Sequence, residues 1–513
     1  MPGDSPTVAE ILRHQARSRA DHPLLVCDGD RISYAEADRR SAQLARGLIA
    51  QGGGKGTHVG LLYPNGTEFV VGMLAAARIG AVVVPFSTFA TARELREQLV
   101  DSDVAILLSA ASFRSHDYVA RLAQVLAIPD FDSADRLFVS AVPQLRHAAV
   151  NCERVCRLAE AVEPSLLEAM EDDVDGCDPL AIVYTSGSTS TPKGVVYTHA
   201  GLLGHQRNLN AIRGLTAADK LFCNSPFFWI GGFAFGLLAT LVAGSTLVCS
   251  NATDAGATLD LLEAEKPTMT NGFVAGITHL AHHPSFAARD LSSMRRGNLY
   301  PIMPPAARPA DPELRHNMLG LTEAGSVVLI SDNESDQPES RRGSFGKPAP
   351  GFQTMILDPD TGGVGELCIR GPYVMQGYYK RSREECFDAD GWFHTGDLVR
   401  VDADGFCYFV GRLSAMIKTA GANVSSAEVE KAIARVTGAQ AHVVGIPDAE
   451  RGEVVAAVVV QPGLDETALR ERLKAELSEY KIPKRFLALP SSEIPLLSSG
   501  KVDMRRLKKL FDA

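Results

Sequence analysis

Apolar and polar positions alternate along the chain in two rhythms. From Ala35 to Ala50, residues Ala42, Leu44, Ala45, Leu48 and Ile49 recur near helical spacing, which predicts an amphipathic helix. Val59–Tyr63, Ala81–Pro85 and Val104–Ser109 are short apolar runs that read as strands, with helical patterns over Glu68–Ile79 and Ala92–Leu99 between them. Strands alternating with helices predict a parallel sheet with helical crossovers. Residues 111–180 lack a clear rhythm, hold the acidic run Glu171–Asp175 and read as a surface connection. A second α/β stretch covers residues 195–330, followed by a polar loop over 331–342. Residues 343–410 carry short strands and Asp-Gly turns, the mark of a small β-rich subdomain. After Gly411 the pattern changes to helix (Ser426–Val436), strands (Ala441–Ile446, Val454–Val460) and helix (Glu466–Ser478). The expected fold class is α/β. A large domain of α/β subdomains plus a small β subdomain spans 1–410, and a small α+β domain spans 411–513, with the boundary near Gly411–Ser414.

Composition narrows this only slightly. The 513 residues exceed one ordinary core, and 45% apolar with 22% charged residues suits a soluble globular chain. A net charge of −10 argues against a broad nucleic-acid face, and the basic end of the chain, Arg505 to Lys509, reads as a solvated helix face. The N-terminus has no apolar signal region, and the nine cysteines form neither a zinc pattern nor a disulfide framework. The expected setting is the reducing cytoplasm. No charge occurs from Leu221 to Thr253, long enough for a membrane span. Gly231, Gly232, Gly236 and Gly244 break it, so it reads as a buried helix over Gly231–Val242 and a buried strand over Thr246–Cys249.

The stretch AIVYTSGSTSTPKGVVYTHA, Ala181 to Ala200, places hydroxyls, two glycines and a lysine between two apolar runs. Backbone N–H groups and hydroxyls cradle phosphate oxygens, and Gly admits a close approach. The Walker pattern does not fit, because Pro192 precedes Lys193 and Gly194 follows it. The loop residues Thr185, Ser186, Gly187, Ser188, Thr189, Thr191 and Lys193 are the phosphate candidates.

Four more segments follow in order: LGLTE (Leu319–Glu323), GWFHTGDLV (Gly391–Val399), GRLSAMIKTAGANVSSAEVE (Gly411–Glu430) and PLLSSGKVDMRRL (Pro495–Leu507). Each alone has an ordinary surface or turn reading. Together with the loop at 185–194 the chain resembles, over nearly its whole length, the adenylate-forming superfamily of acyl-CoA synthetases, peptide-synthetase adenylation domains and luciferases. The resemblance implies an active site between a large N-terminal domain and a small mobile C-terminal domain. It implies that the loop holds the β- and γ-phosphates of ATP and that Thr322 contacts the α-phosphate. By the same resemblance Glu323 binds Mg²⁺, Asp397 accepts the ribose hydroxyls, Arg412 also reaches the ribose, and Lys501 bridges the substrate carboxylate and the α-phosphate. Gly320 and Leu319 flank the nucleotide. Acyl-AMP and pyrophosphate form first, and a thiol, usually coenzyme A, then attacks.

The chain departs from the family at several points. Leu319 stands where the family has an adenine-stacking Tyr, and the Gly-Gly-Ala-Pro-like segment is replaced by RGNLYPIMPPAARPADPELRHNM. Tyr300 is the one aromatic there that offers a substitute surface. In PFFWIGGFAFG, Trp229 falls where relatives carry His or another aromatic. Phe228, Trp229, Gly231, Phe233 and Phe273 read as walls of a roomy apolar acyl pocket, with no cation in these segments to pair with a charged substrate group. That predicts a hydrophobic acid, branched, cyclic or long. The surroundings of LGLTE resemble those of actinobacterial synthetases for steroid- or terpenoid-like acids. In KTAGAN, Ala420 replaces the first Gly of the family's thiol-channel motif before Gly421, and the hinge position is Ser414. Adenylation is therefore expected intact and thioester formation weakened. A carrier protein as acceptor, or a non-catalytic acyl-adenylate sensor, are the rival readings, and the oligomeric state, a homodimer included, stays open.

Overall fold

The computed structural model describes residues 6–133, 136–185, 192–413, 416–461, 463–495 and 502–512. The chain divides into two compact units. The first comprises Met1–Thr88, Leu99–Tyr184 and Gly194–Leu413; the second gathers Phe89–Gln98, Thr185–Lys193 and Ser414–Ala513.

The first unit is built on two largely parallel sheets. One has seven strands in the order Gly377–Tyr378, Lys193–Thr198, Pro179–Thr185, Val82–Pro85, His58–Leu62, Ile106–Ser109 and His147–Val150. The other has six: Arg296–Gly297, Met269–Asn271, Lys220–Cys223, Thr246–Cys249, Pro23–Cys27 and Asp30–Ser33. Every residue of Val82–Pro85 and Thr246–Cys249 is buried. A strand covered on both faces has no polar alternation; the one polar residue here, Thr246, donates its hydroxyl to the Pro23 carbonyl. The helix Thr67–Arg78 is likewise buried at every position but Glu68. Its terminal Arg78 is tolerated because Glu171 and Asp38 ion-pair with it. The reading of 111–180 as a mere connection is corrected. It holds the edge strand His147–Val150 and the helices Tyr118–Leu126, Glu153–Leu158 and Pro164–Asp173. Among the described residues no helix is long and apolar enough to cross a membrane.

Two smaller antiparallel sheets complete this unit. One pairs Leu319–Leu321 with Ser326–Ile330 and then Lys347–Pro348. The other orders Gln353–Leu357, Val364–Arg370, Phe393–Val401 and Cys407–Arg412, in the region where Gly and Asp-Gly turns predicted β structure.

The helix His199–Arg213 links these layers. Thr198 caps it through the Gly201 amide, and Gly214, at φ 62°, closes it in the left-handed conformation that Gly adopts without strain. It carries two fully buried histidines. His199 Nδ1 accepts the Val8 amide, and His205 Nε2 donates to the Val327 carbonyl. Burial lowers both imidazoles from the usual value to about 4. The unfolded chain therefore binds more protons than the folded one between pH 6.5 and 4, so stability falls as pH falls through that window. Each histidine is expected to cost up to roughly 3 kcal/mol by pH 4. Urea unfolding of the first unit between pH 7 and 4 checks this. His205→Gln, which keeps a donor but cannot charge, should flatten the profile; an unchanged slope would remove His205 from the account.

In the second unit a five-stranded sheet, Ala422–Ser425, Met416–Thr419, Gly452–Val459, Ala441–Asp448 and Arg485–Ala488, carries the helix Ser426–Thr437. Its core includes Ile417, Val424, Val429, Ile433, Val443 and Val455.

Candidate functional site

Thr322 and Glu323 sit in the short turn of the hairpin formed by Leu319–Leu321 and Ser326–Ile330. The turn is tight: Gly325 has φ 67° and Ser326 has φ 139°. A non-glycine residue at such a φ stores strain that its surroundings must hold. The surroundings do so from the neighbouring helix, where Gln206 Nε2 donates to the Gly325 carbonyl at 3.1 Å and to Ser326 Oγ at 3.3 Å.

Two tyrosines fix the functional groups. Tyr197, on the strand that leaves the 185–194 loop, donates its hydroxyl to the Thr322 carbonyl at 2.7 Å. Tyr378 donates its hydroxyl to Glu323 Oε1 at 2.7 Å. The two tyrosine-bearing strands are partners, with Val195 opposite Tyr378. The backbone adds a bond from the Met375 amide to the Glu323 carbonyl at 3.0 Å. Burial, and after it the Glu323 carboxylate, raises the Tyr378 phenol above its ordinary value, so it stays a donor. Neither tyrosine was singled out from the sequence. The Tyr-Tyr pair after Gly377 was the available signal, but the partners lie 55 and 125 residues away.

Asp397 and Arg412 face each other across adjacent antiparallel strands. Asp397 is fully buried, and Arg412 grips it with two nitrogens, Nε to Oδ1 at 2.6 Å and Nη2 to Oδ2 at 3.4 Å. The Thr395 hydroxyl accepts the Asp397 amide. A guanidinium that grips a buried carboxylate with two nitrogens fixes its orientation. The Tyr378 ring meets Phe393, on the Asp397 strand, edge-on at 6.3 Å between centroids.

Thr185 ends one strand and Lys193 begins the next. Ser186, Gly187, Ser188, Thr189 and Thr191 of the loop, the hinge candidate Ser414 and the candidate lysine Lys501 lie outside the described residues. Leu319 is buried and Gly320 exposed.

The acyl-pocket candidates separate into two groups. Phe228, Trp229 and Phe273 form one edge-to-face cluster, with centroids 5.5 and 5.6 Å apart. Phe233 is not with them; it is fully buried and edge-on to Phe69. The expected helix over Gly231–Val242 is present, with Phe233–Leu238 wound as a π-helix. Gly232 is required at its start, since a Cβ there would lie 2.1 Å from the Pro226 carbonyl oxygen, whereas Gly231 has room. A cleft enclosing about 640 Å³, its mouth included, is lined by Phe235, Met269, Asn271, Tyr300, Met318 and Arg213. Arg213 arrives from the end of the helix His199–Arg213, outside the segments that carried the pocket reading. Tyr300 lines this cleft.

Ala420 and Gly421 form the two-residue turn between Met416–Thr419 and Ala422–Ser425, with φ of 47° and 86°. Two successive positive φ values define a hairpin turn that favours Asn-Gly or Gly-Gly. Ala420 is therefore strained as well as larger than Gly.

Comparison with known proteins agrees with this geometry. The AMP-binding enzyme family model matches residues 12–379, and the AMP-binding enzyme C-terminal domain model matches residues 428–501. The chain is 31% identical to a feruloyl-CoA synthase of Amycolatopsis, covering 94% of each chain. It is also 31% identical to the 3-[(3aS,4S,7aS)-7a-methyl-1,5-dioxo-octahydro-1H-inden-4-yl]propanoyl:CoA ligase of Mycobacterium tuberculosis, covering 99% of this chain and 100% of the other. Among solved structures, o-succinylbenzoate CoA synthetase from Bacillus subtilis superimposes with a TM-score of 0.78 at 25% identity over 97% of both chains. By these matches and by its fold, the chain belongs to the AMP-binding enzyme family, the adenylate-forming superfamily.

Proposed function

We propose that the protein is an ATP-dependent acid–thiol ligase, an acyl-CoA synthetase for a hydrophobic, bulky cyclic acid. The observation that carries this reading is the pairing, in one unit, of the Tyr378-oriented Glu323 beside Thr322 with the buried Asp397–Arg412 pair. The relatives named for feruloyl and hydrindane-propanoyl substrates support the substrate class.

The substrate carboxylate attacks the α-phosphorus of ATP, the bond to the pyrophosphate oxygen breaks, and acyl-AMP results. Thr322 holds the α-phosphate with its hydroxyl. Asp397 accepts the ribose hydroxyls, and Arg412 binds the ribose edge while holding Asp397. Thr185, Lys193 and the loop between them cradle the β- and γ-phosphates. Lys501 offsets the repulsion between carboxylate and phosphate and stabilises charge as it builds. Glu323 fits Mg²⁺, which takes one or two carboxylates together with substrate phosphates; when bound, the ion would neutralise phosphate charge. Coenzyme A then attacks the acyl carbon and AMP leaves. The expected location is the cytoplasm.

ATP–pyrophosphate exchange across a panel of hydrophobic acids, followed by addition of coenzyme A, tests the reading. Acid-dependent exchange plus acyl-CoA is the expected result. Exchange without acyl-CoA, rescued by a phosphopantetheine-loaded carrier, would replace the acceptor; no exchange with any acid would remove the activity. The strained Ala420 bears on the second step. Ala420→Gly is expected to speed thioester formation from preformed acyl-AMP about fivefold or more, since an extra methyl in a tight channel costs roughly 1–3 kcal/mol. Equal single-turnover rates in the two proteins would discard this role for Ala420.

A further inference from the structure

The Arg213 guanidinium is placed unlike an ordinary structural arginine. Its Nη2 donates to Asn210 Oδ1 and to the Phe235 carbonyl, both at 3.0 Å. Its carbon lies 3.9 Å from the centroid of the Phe235 ring. Its Nε is buried and has no hydrogen-bond partner among the described residues. No carboxylate there forms an ion pair with it, although Arg31, Arg39, Arg78, Arg289 and Arg315 all have one. Burial lowers the guanidinium from its ordinary value to about 9, which leaves it charged at neutral pH.

A buried cation without a counter-charge is costly unless something completes it. The cleft is where that something fits. Arg213, Phe235 and Met318 all line it. Met318 directly precedes the strand Leu319–Leu321 that leads to Thr322. Four residues of extended chain span roughly 13 Å, about the length of a fused-ring acid. Two other lining residues, Arg315 and His316, are already engaged. Arg315 pairs with Asp336 at 2.6 Å, and His316 Nδ1 bonds Ser344 Oγ at 3.0 Å. Glu334 also lines the cleft; burial raises its carboxyl above the ordinary range, opposed by Arg296 and Arg315, and among the described residues it forms no ion pair with Arg213.

We propose that Arg213 reads a hydrogen-bond-accepting oxygen, a ketone or a carboxylate, at the far end of the acid. The preferred substrate is then a hydrophobic acid whose distal end carries oxygen. This rests on the ligase reading and deepens it.

Matched acid pairs test it. One pair differs by a distal ring ketone against methylene, the other by a distal carboxylate against methyl. Each acid is measured by ATP–pyrophosphate exchange and, separately, by calorimetric binding without nucleotide. Wild type should favour the oxygen-bearing member of at least one pair by about tenfold or more in kcat/KM. The favoured pair tells a neutral acceptor from an anion. Arg213→Met should bring that ratio near one while activity with the methylene or methyl analogue is retained, which loss of a packing role would not produce. A wild-type ratio near one in both pairs overturns the proposal, whether or not the variant folds. Failure of exchange with every acid, alongside a preserved binding preference, would sink the ligase reading and leave Arg213 in its role.

Discussion

Glu323→Gln is expected to lower carboxylate-dependent ATP–pyrophosphate exchange at least about a hundredfold, the scale of removing one preorganised electrostatic group from a transition state. The substitution keeps size and shape, so the hairpin turn survives. It removes the only formal charge in Thr322–Ala324. The change should appear in kcat, with a shift of the Mg²⁺ activation curve to higher concentration. Tyr378→Phe is the companion variant. It leaves the carboxylate and deletes the 2.7 Å bond that orients it, so a loss of only about threefold to tenfold is expected, the scale of one hydrogen bond. Exchange by Glu323→Gln within tenfold of wild type would show that the metal and its charge reside elsewhere.

Lys481→Met is expected to destabilise the second unit by roughly 3–5 kcal/mol, the cost of removing one partner from a buried ion pair. Lys481 is buried and donates to Glu94 Oε1 at 2.6 Å and to Glu428 Oε1 at 2.8 Å. Ser478 Oγ donates to the other Glu94 oxygen at 2.7 Å. Burial opposes ionisation of all three groups, and neighbouring charges overcome it at Lys481 and Glu94. The two carboxylates keep Lys481 protonated, and Lys481 holds Glu94 below the ordinary carboxylate range. Burial, aided by the charge of Glu94, pushes Glu428 above it. Without the ammonium, Glu94 and Glu428 face each other in the interior uncompensated. Hydrogen-exchange protection of the helix Ser426–Thr437 should collapse, and the melting of this unit should fall by about 10 °C or more. Adding Glu94→Gln to Lys481→Met should recover part of the loss. A double variant no better than the single would show that the packing of Lys481, not its charge, carries the stability.

The rhythm of apolar runs made most of the fold legible. Val82–Pro85 and Thr246–Cys249 are buried on both faces and almost wholly apolar, so they stand out in any window. The edge strand His147–Val150 did not, because it starts on a half-buried His and continues with two alanines and a single valine. At the site, Thr322, Glu323, Asp397 and Arg412 were readable because each lies in a short motif whose chemistry is local. Tyr197, Tyr378 and Arg213 were not readable. Their partners are brought to them by strand pairing and helix packing, which leave no mark in neighbouring residues. Arg213 shows the limit most clearly: the pocket segments contain no cation, yet the cleft holds one delivered by the end of another helix.

The π-wound turn Phe233–Leu238 has an evolutionary corollary. Such a turn is a helix carrying one residue more than α geometry accommodates. Deleting one codon there would let the stretch rewind as α-helix while its two flanks keep nearly the faces they have, since the extra residue is taken up locally. Phe235 would leave the Arg213 guanidinium, and a neighbouring apolar residue would take its place. The lining of the cleft could thus be exchanged in one genetic step, with the hydrophobic content of the segment almost unaltered.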